Sequence, residues 1–426
     1  MNSLQRVQPP VFPVEKVVIP DAKSLKLDNG IPVFLIKAGT EDIMRLEFIF
    51  KAGQIKETLP LIASTCNMML SEGSKNYTSE ELNRLLDFYG IFMNQSAERD
   101  CASITFYFLN KHIEKVLELS HEVLFSPVFT DPELNALMKK RIRWYLVNRE
   151  KVQNLSMDQF FESLFGKNHP YGYQLLEKDF ENITPAILKD FHSRYYIPSN
   201  MVVIISGKIH EKTTEFLNTY FGNASLKKLK KEGSEIIPKG EKQKKVHIHK
   251  SGTVQTSIRI GSATINKRSS DYPGLKILDS ILGGYFGSRL MKNLREEKGY
   301  TYGISSSVSS FDLSGYKIIS TEVGSKYSQK SIDEIYKEIR ILQNVAVTKE
   351  EMSIVRNYMS GEMVRMFDGP FALAESFRSA WEFGLDNSYY HRLSEKIRTI
   401  EPDEIVELAK KYYNIDELYE ITAGSE

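Results

Sequence analysis

The residues best suited to chemistry lie in the segment 283–307, which reads GGYFGSRLMKNLREEKGYTYGISSS. It holds Arg295 and Tyr302. A guanidinium is a rigid fork of donors that suits a peptide carbonyl or a carboxylate. A phenol hydroxyl can donate to a carbonyl, or to the oxyanion formed when water attacks it. Taken singly, each residue reads as ordinary: Arg295 as a surface helix charge and Tyr302 as a half-buried strand residue. Gly283, Gly284 and Gly287 are not followed by the lysine of a phosphate-binding loop, so they read as a turn.

The histidines exclude more than they suggest. The eight stand at 112, 121, 169, 192, 210, 247, 249 and 391, and no two are four apart. A helical zinc site built on an i, i+4 histidine pair is therefore absent from the sequence. His247 and His249 share one face of a strand-like VHIHK, and two such ligands alone make a poor site. His169, in NHPYG, reads as a structural histidine. Cys66 and Cys101 are too few for a disulfide framework or a cysteine zinc site, and read as small buried residues. There is no Gly-x-Ser-x-Gly elbow, no catalytic cysteine signature and no dinucleotide fingerprint.

These residues need elements to hold them. Met44, Leu46, Phe48 and Phe50 alternate, as do Ile104, Phe106 and Phe108, and Thr256, Ile258 and Ile260. Each pattern predicts a half-buried strand, and Val202 to Ile205, closed by Gly207, predicts a buried one. Thr78 and Glu81 form a capping box ahead of Leu82, Leu85, Leu86 and Tyr89, with Gly90 as the stop. Leu134, Leu137, Met138 and Tyr145 mark one face of a longer helix, and Pro273 opens another with Leu275, Leu278 and Leu282 inward.

The chain also repeats itself. Pro185 matches Pro402, Tyr195 and Tyr196 match Tyr412 and Tyr413, and Gly207 matches Gly424, each pair 217 positions apart. Half a chain is too long a period for a solenoid, so each repeat is a domain. Between them 226–245 carries eight lysines, two glycines and a proline, the composition of a solvated linker. The expected fold class is α+β: two tandem, homologous sandwiches, each a mostly antiparallel sheet with helices packed on it. The expected domains are 1–225 and 246–426, joined by the linker 226–245.

The segment 283–307 resembles the insulinase/pitrilysin zinc peptidases, in particular the branch containing mitochondrial processing peptidase. The matching residues are Ser288, Arg289, Leu290, Leu294, Arg295, Glu296, Gly299 and Tyr302. LDNGIPVFLI from Leu27 and FGKNHPYGY from Phe165 resemble the family more loosely, and the likeness runs from about residue 20 onward. It implies one half of a peptidase clamshell in which Arg295 and Tyr302 hold substrate. Active members carry His-x-x-Glu-His on a helix of the first domain, with a further glutamate as third ligand. MLSEGS, 69–74, resembles the family's anchor after that motif. Counting back puts the motif on Ser64, Thr65, Cys66, Asn67 and Met68. At its ligand and base positions, Ser64, Asn67 and Met68 are poor substitutes for imidazole and carboxylate. Glu150 lies near the expected third ligand.

The resemblance therefore implies a non-catalytic, substrate-binding subunit of a heterodimeric zinc endopeptidase. No metal or other cofactor is expected here, and zinc would sit in a sister subunit. The alternative is a scaffold protein of a larger complex without peptidase activity. A net charge of +1 gives no global field for nucleic acid or membrane. No apolar run reaches the length of a membrane span. Residues 1–10 have no signal-peptide core, so a cytoplasmic protein is expected, with a homodimer open to it when alone.

Overall fold

The computed structural model describes residues 18–223 and 237–425. Most of the expected linker, 226–236, lies outside the described residues. Eleven strands form two sheets among the described residues. The first sheet contains β1 (Lys23–Lys26), β2 (Pro32–Lys37), β3 (Ile43–Phe50), β4 (Phe92–Ala97), β5 (Ala102–Leu109) and β6 (Met201–Gly207), in the order β1-β2-β6-β3-β5-β4. The second contains β7 (Lys245–His249), β8 (Gln255–Thr264), β9 (Thr301–Ser310), β10 (Gly315–Gly324) and β11 (Tyr419–Gly424), in the order β7-β11-β8-β10-β9. All pairings are antiparallel except β2 with β6 and β7 with β11. The α+β sandwich class read from the sequence is the one found.

The first half supplies helices α1 (Ile62–Met69), α2 (Ser79–Phe88), α3 (Ile113–Phe125), α4 (Asp131–Arg149), α5 (Val152–Phe165), α6 (Pro185–Tyr195) and α7 (Thr213–Leu217). The second supplies α8 (Tyr272–Asp279), α9 (Ser328–Asn344), α10 (Lys349–Met366), α11 (Gly369–Trp381), α12 (Ser388–Thr399) and α13 (Pro402–Tyr412). The repeat is visible in them: α6 corresponds to α13, and β6 to β11, at the offset read from the sequence. Thr78 caps α2 as expected, accepting from the Glu81 N–H while Glu81 accepts from the Thr78 N–H. Pro273 falls in the first turn of α8, and Leu275, Leu278 and Leu282 are buried.

The repeats do not pack separately. In α5, from the first half, Phe160, Leu164 and Phe165 bury against Ile318, Tyr419 and Ile421 of the second sheet. In α11, from the second half, Leu373, Ala374 and Phe377 bury against Ile36, Ile49 and Ile204 of the first sheet. Each sheet thus has one face on its own helices and the other under a helix of the opposite half. This corrects one expectation. β3, β5 and β8, expected to be half-buried, are each buried on both faces, because α11 covers the outer face of the first sheet and α5 that of the second. Arg45 and Glu47 of β3 are buried, and they pair with each other at 3.0 Å.

Candidate functional site

α1 carries Ser64, Thr65, Cys66, Asn67 and Met68, the five positions that the resemblance aligns with the motif. It packs on α6, β4 and β5, so its apolar face is fixed by the first core. Cys66 is buried, and burial pushes its thiol above its usual range. Asn67 is buried and donates through Nδ2 to Tyr196 Oη at 3.1 Å and to the Ser103 carbonyl at 3.4 Å. Its own carbonyl accepts from the Gln95 amide of β4. Met68 points outward and is 42% exposed.

Ser64 and Thr65 are held by a residue that the sequence reading missed. Arg141 of α4 donates through Nη2 to Ser64 Oγ at 2.8 Å and through Nη1 to Thr65 Oγ1 at 2.5 Å. Burial lowers its pKa to about 10, against a smaller upward pull from Glu57, and it stays charged at neutral pH. Glu57 precedes α1 and accepts from the Ala63 N–H at 2.7 Å. Burial raises its pKa to about 7 despite backbone hydrogen bonds and the charges of Arg141 and Arg99. Leu61, at the helix start, is left-handed with φ 74°, a conformation a bulky residue adopts only when its surroundings impose it. One signal of Arg141 was legible. It falls at helical spacing on the stripe of Leu134, Met138 and Tyr145, where a charge is out of place unless it meets a partner.

Glu150 does not approach α1. It caps the far end of α4, is exposed, and accepts from Lys250 of the second half. The carboxylate near the expected third-ligand place therefore ties the two halves instead. Among the described residues, no group of three or more His, Cys, Asp or Glu is arranged to hold a metal ion. A hydroxyl already bonded to a guanidinium, a buried amide bonded to a phenol and an outward thioether do not fit zinc.

The second candidate group lies on the other sheet. Ser280–Gly284 and Met291–Glu297 are π-helical turns that pack on β9. Gly283 is required where the first turn meets β9, because a Cβ there would lie 2.7 Å from Ser306 N and Cβ. Arg289 makes two parallel bonds of 2.8 Å to Glu351 at the start of α10, so it is a structural clamp. Gly299, with φ 63°, turns the chain from the second π-helical turn into β9. Arg295 lies before this turn, with its guanidinium 4.6 Å from the ring centroid of exposed Phe286. Tyr302 follows it and is 91% exposed. Among the described residues neither side chain has a hydrogen bond or an ion pair. Among the described residues β9 pairs only with β10, and on its other edge the Val308 carbonyl accepts from Tyr272 Oη at 3.4 Å and Lys276 Nζ at 3.5 Å, while the Ile304 N–H meets Met291 Sδ at 3.4 Å.

The remaining histidines have ordinary surroundings. His169 is buried, and its Nδ1 accepts from the Tyr171 N–H at 3.1 Å. His247 Nδ1 lies 2.8 Å from Thr422 Oγ1. A cavity of 550 Å³ opens beside α10 and α12, lined by Lys267, Lys276, Tyr358 and Met363 among others. Burial lowers the pKa of Lys267 to about 8.

The two sheets, each covered by a helix of the opposite half, form the paired α+β sandwiches expected from the resemblance. Sequence comparison agrees: residues 33–179 match Insulinase (Peptidase family M16), and residues 182–359 match the Peptidase M16 inactive domain. The chain belongs to the M16 family. It is 22% identical over 349 residues to the uncharacterized zinc protease YmxG of Bacillus subtilis, covering 80% of this chain and 83% of that one. It is also 22% identical over 366 residues to the non-peptidase homolog YmxG of Helicobacter pylori, covering 84% and 83%. In fold it is similar to the crystal structure of a protease from Helicobacter pylori, with TM-score 0.85, 19% identity, and coverage of 95% of this chain and all of that one. No helix among the described residues is long and apolar enough to cross a membrane.

Proposed function

We propose that this chain is the non-catalytic, substrate-binding subunit of a heterodimeric zinc endopeptidase. The observation that carries this reading is the contrast between its two candidate groups. Ser64, Asn67 and Met68 offer no ligand set for zinc, whereas Arg295 and exposed Tyr302 have no hydrogen-bond or ion-pair partner among the described residues and can take a substrate. In this reading the sister subunit supplies the metal and the activated water. This chain closes over the peptide, Arg295 grips a carbonyl or carboxylate, and Tyr302 donates to a carbonyl near the scissile bond. Enclosure orients the peptide and excludes folded proteins by size. The namesake non-peptidase relative supports a non-catalytic role, which here is a proposal.

The test is to recover tagged protein from its native cells and assay peptide cleavage with and without a chelator. The reading expects a co-purifying sister with His-x-x-Glu-His. It also expects chelator-sensitive activity that falls at least about tenfold on Arg295→Ala or Tyr302→Phe, the loss of one transition-state hydrogen bond. Recovery with a larger complex that has no peptidase activity would instead favour the scaffold role.

A further inference from the structure

Where residues 64 and 68 would hold a metal on one face of α1, the protein has installed a cation of its own. Arg141 reaches from α4 to Ser64 and Thr65 with one donor on each terminal nitrogen, at 2.8 and 2.5 Å. Ser64 is the first of the i, i+4 positions, so the guanidinium lies against one ligand atom of any metal bound there. Hydroxyls accept from a guanidinium readily and ligate zinc poorly. On α4, Met138 takes Thr65 Oγ1 at a Sδ distance of 4.0 Å, so the same helix face meets the same turn of α1 with both an apolar and a charged side chain. Glu57 lies near enough for its charge to act on Arg141, and it also bonds the α1 backbone through the Ala63 N–H. The turn that opens α1 is thus held from two sides, by a guanidinium and by a carboxyl group.

We infer that Arg141 is a resident cation that has replaced the metal: it ties α4 to α1 and bars a divalent ion from this helix. Two like charges a few ångströms apart in a partly buried place repel strongly, and the guanidinium cannot give up its proton near neutral pH to relieve it. Losing zinc here is therefore more than losing three ligands. Restoring the ligands alone leaves the site closed. The inference concerns this chain's own fold and stands whether or not a sister subunit exists.

The test compares two variants of the full chain by zinc calorimetry and by metal content after dialysis. The first carries Ser64→His, Asn67→Glu and Met68→His with Arg141 kept. The second adds Arg141→Gln, which removes the charge without supplying a carboxylate. The inference expects about one zinc per chain only in the second, bound at least about 100-fold more tightly than in the first, because the ligands are the same and the repelling charge is gone. Equal binding by the two, whether tight or absent, overturns it. If either variant fails to fold by circular dichroism, melting of simpler variants decides. Arg141→Gln should lower the melting temperature, and adding Ser64→Ala with Thr65→Val should lower it little further, because the three side chains act as one unit. Full additivity, or no change on Arg141→Gln, overturns the inference.

Discussion

Arg378 of α11 places Nη1 2.5 Å from Oε1 of Glu47 on β3, although the two residues are 331 positions apart. Glu47 is fully buried. Arg378 also bonds Ser103 Oγ at 3.0 Å and Glu382 at 2.7 Å. Burial pulls the Arg378 pKa down, but Glu47, Glu382 and Glu98 outweigh it, and the net shift is upward. The pair joins the helix that the second half lends to the first sheet. The return loan is joined more gently, by Ser156 Oγ of α5 at 2.8 Å from Ser257 Oγ of β8.

Removing one partner of this pair leaves the other charge buried. Arg378→Ala is expected to destabilise the protein by about 3–5 kcal/mol. Replacing the cluster as a unit, with Arg45→Met, Glu47→Leu and Arg378→Met, should cost much less, because Arg45 and Arg378 are then not left buried without Glu47. Urea unfolding of the two variants checks the order.

The exchange of α5 and α11 predicts that the halves melt together. Calorimetry of the whole chain should show one cooperative transition. A fragment of residues 1–225 lacks α11, exposes Arg45, Glu47 and Ile49, and should behave as a poorly packed or aggregating species by circular dichroism and sizing.

Glu57 gives a pH dependence of definite sign. Burial raises its folded pKa to about 7, above its value of 4.5 in an unfolded chain. Between those values the folded state holds the extra proton, so stability declines as pH rises from 4.5 and the full penalty is present above about 7. Glu57→Gln can still accept from the Ala63 N–H. It should flatten this slope and raise the melting temperature above pH 7, with little effect near pH 4. A pH series of melting curves tests it.

Lys317 titrates in the opposite sense. It is buried in the second core, donates to Ser262 Oγ, and burial lowers its pKa to about 7. The unfolded chain binds this proton more readily between about 7 and 10.5, so the penalty is complete below pH 7 and fades as pH rises through that window. Lys317→Met should stabilise the fold by roughly a few kcal/mol at or below neutral pH, with the gain shrinking towards pH 10. Chemical unfolding at pH 6.5 and 9.5 distinguishes this from a uniform packing gain.

The Gly-rich turn should tolerate no side chain at 283. Gly283→Ala drives a Cβ into Ser306 of β9 and is expected to cost about 1–3 kcal/mol. Because the π-helical turn bearing Arg295 follows, the same change should weaken peptide binding, measurable by fluorescence anisotropy with a labelled peptide.

Much of the molecule was legible from local pattern. Alternation of Met44, Leu46, Phe48 and Phe50 placed β3, and the Thr78–Glu81 box placed α2. The repeated Pro, Tyr-Tyr and Gly positions gave the duplicated α6–β6 and α13–β11 units. These features depend on neighbours within a few residues, or on copies of one segment, so the sequence carries them directly. The ligand-poor character of Ser64, Asn67 and Met68 was likewise a matter of side-chain chemistry. What occupies that place was not. Arg141 meets Ser64 only because α4 folds back across α1, and Arg378 meets Glu47 only because α11 crosses to the other sheet. Such contacts join residues distant in sequence, and periodicity reports which face of a helix is buried but not what it is buried against. The tertiary structure alone decided that the face of β3 bearing Arg45 and Glu47 is interior, that Glu150 turns to Lys250, and that the Arg141 guanidinium lies on Ser64 and Thr65.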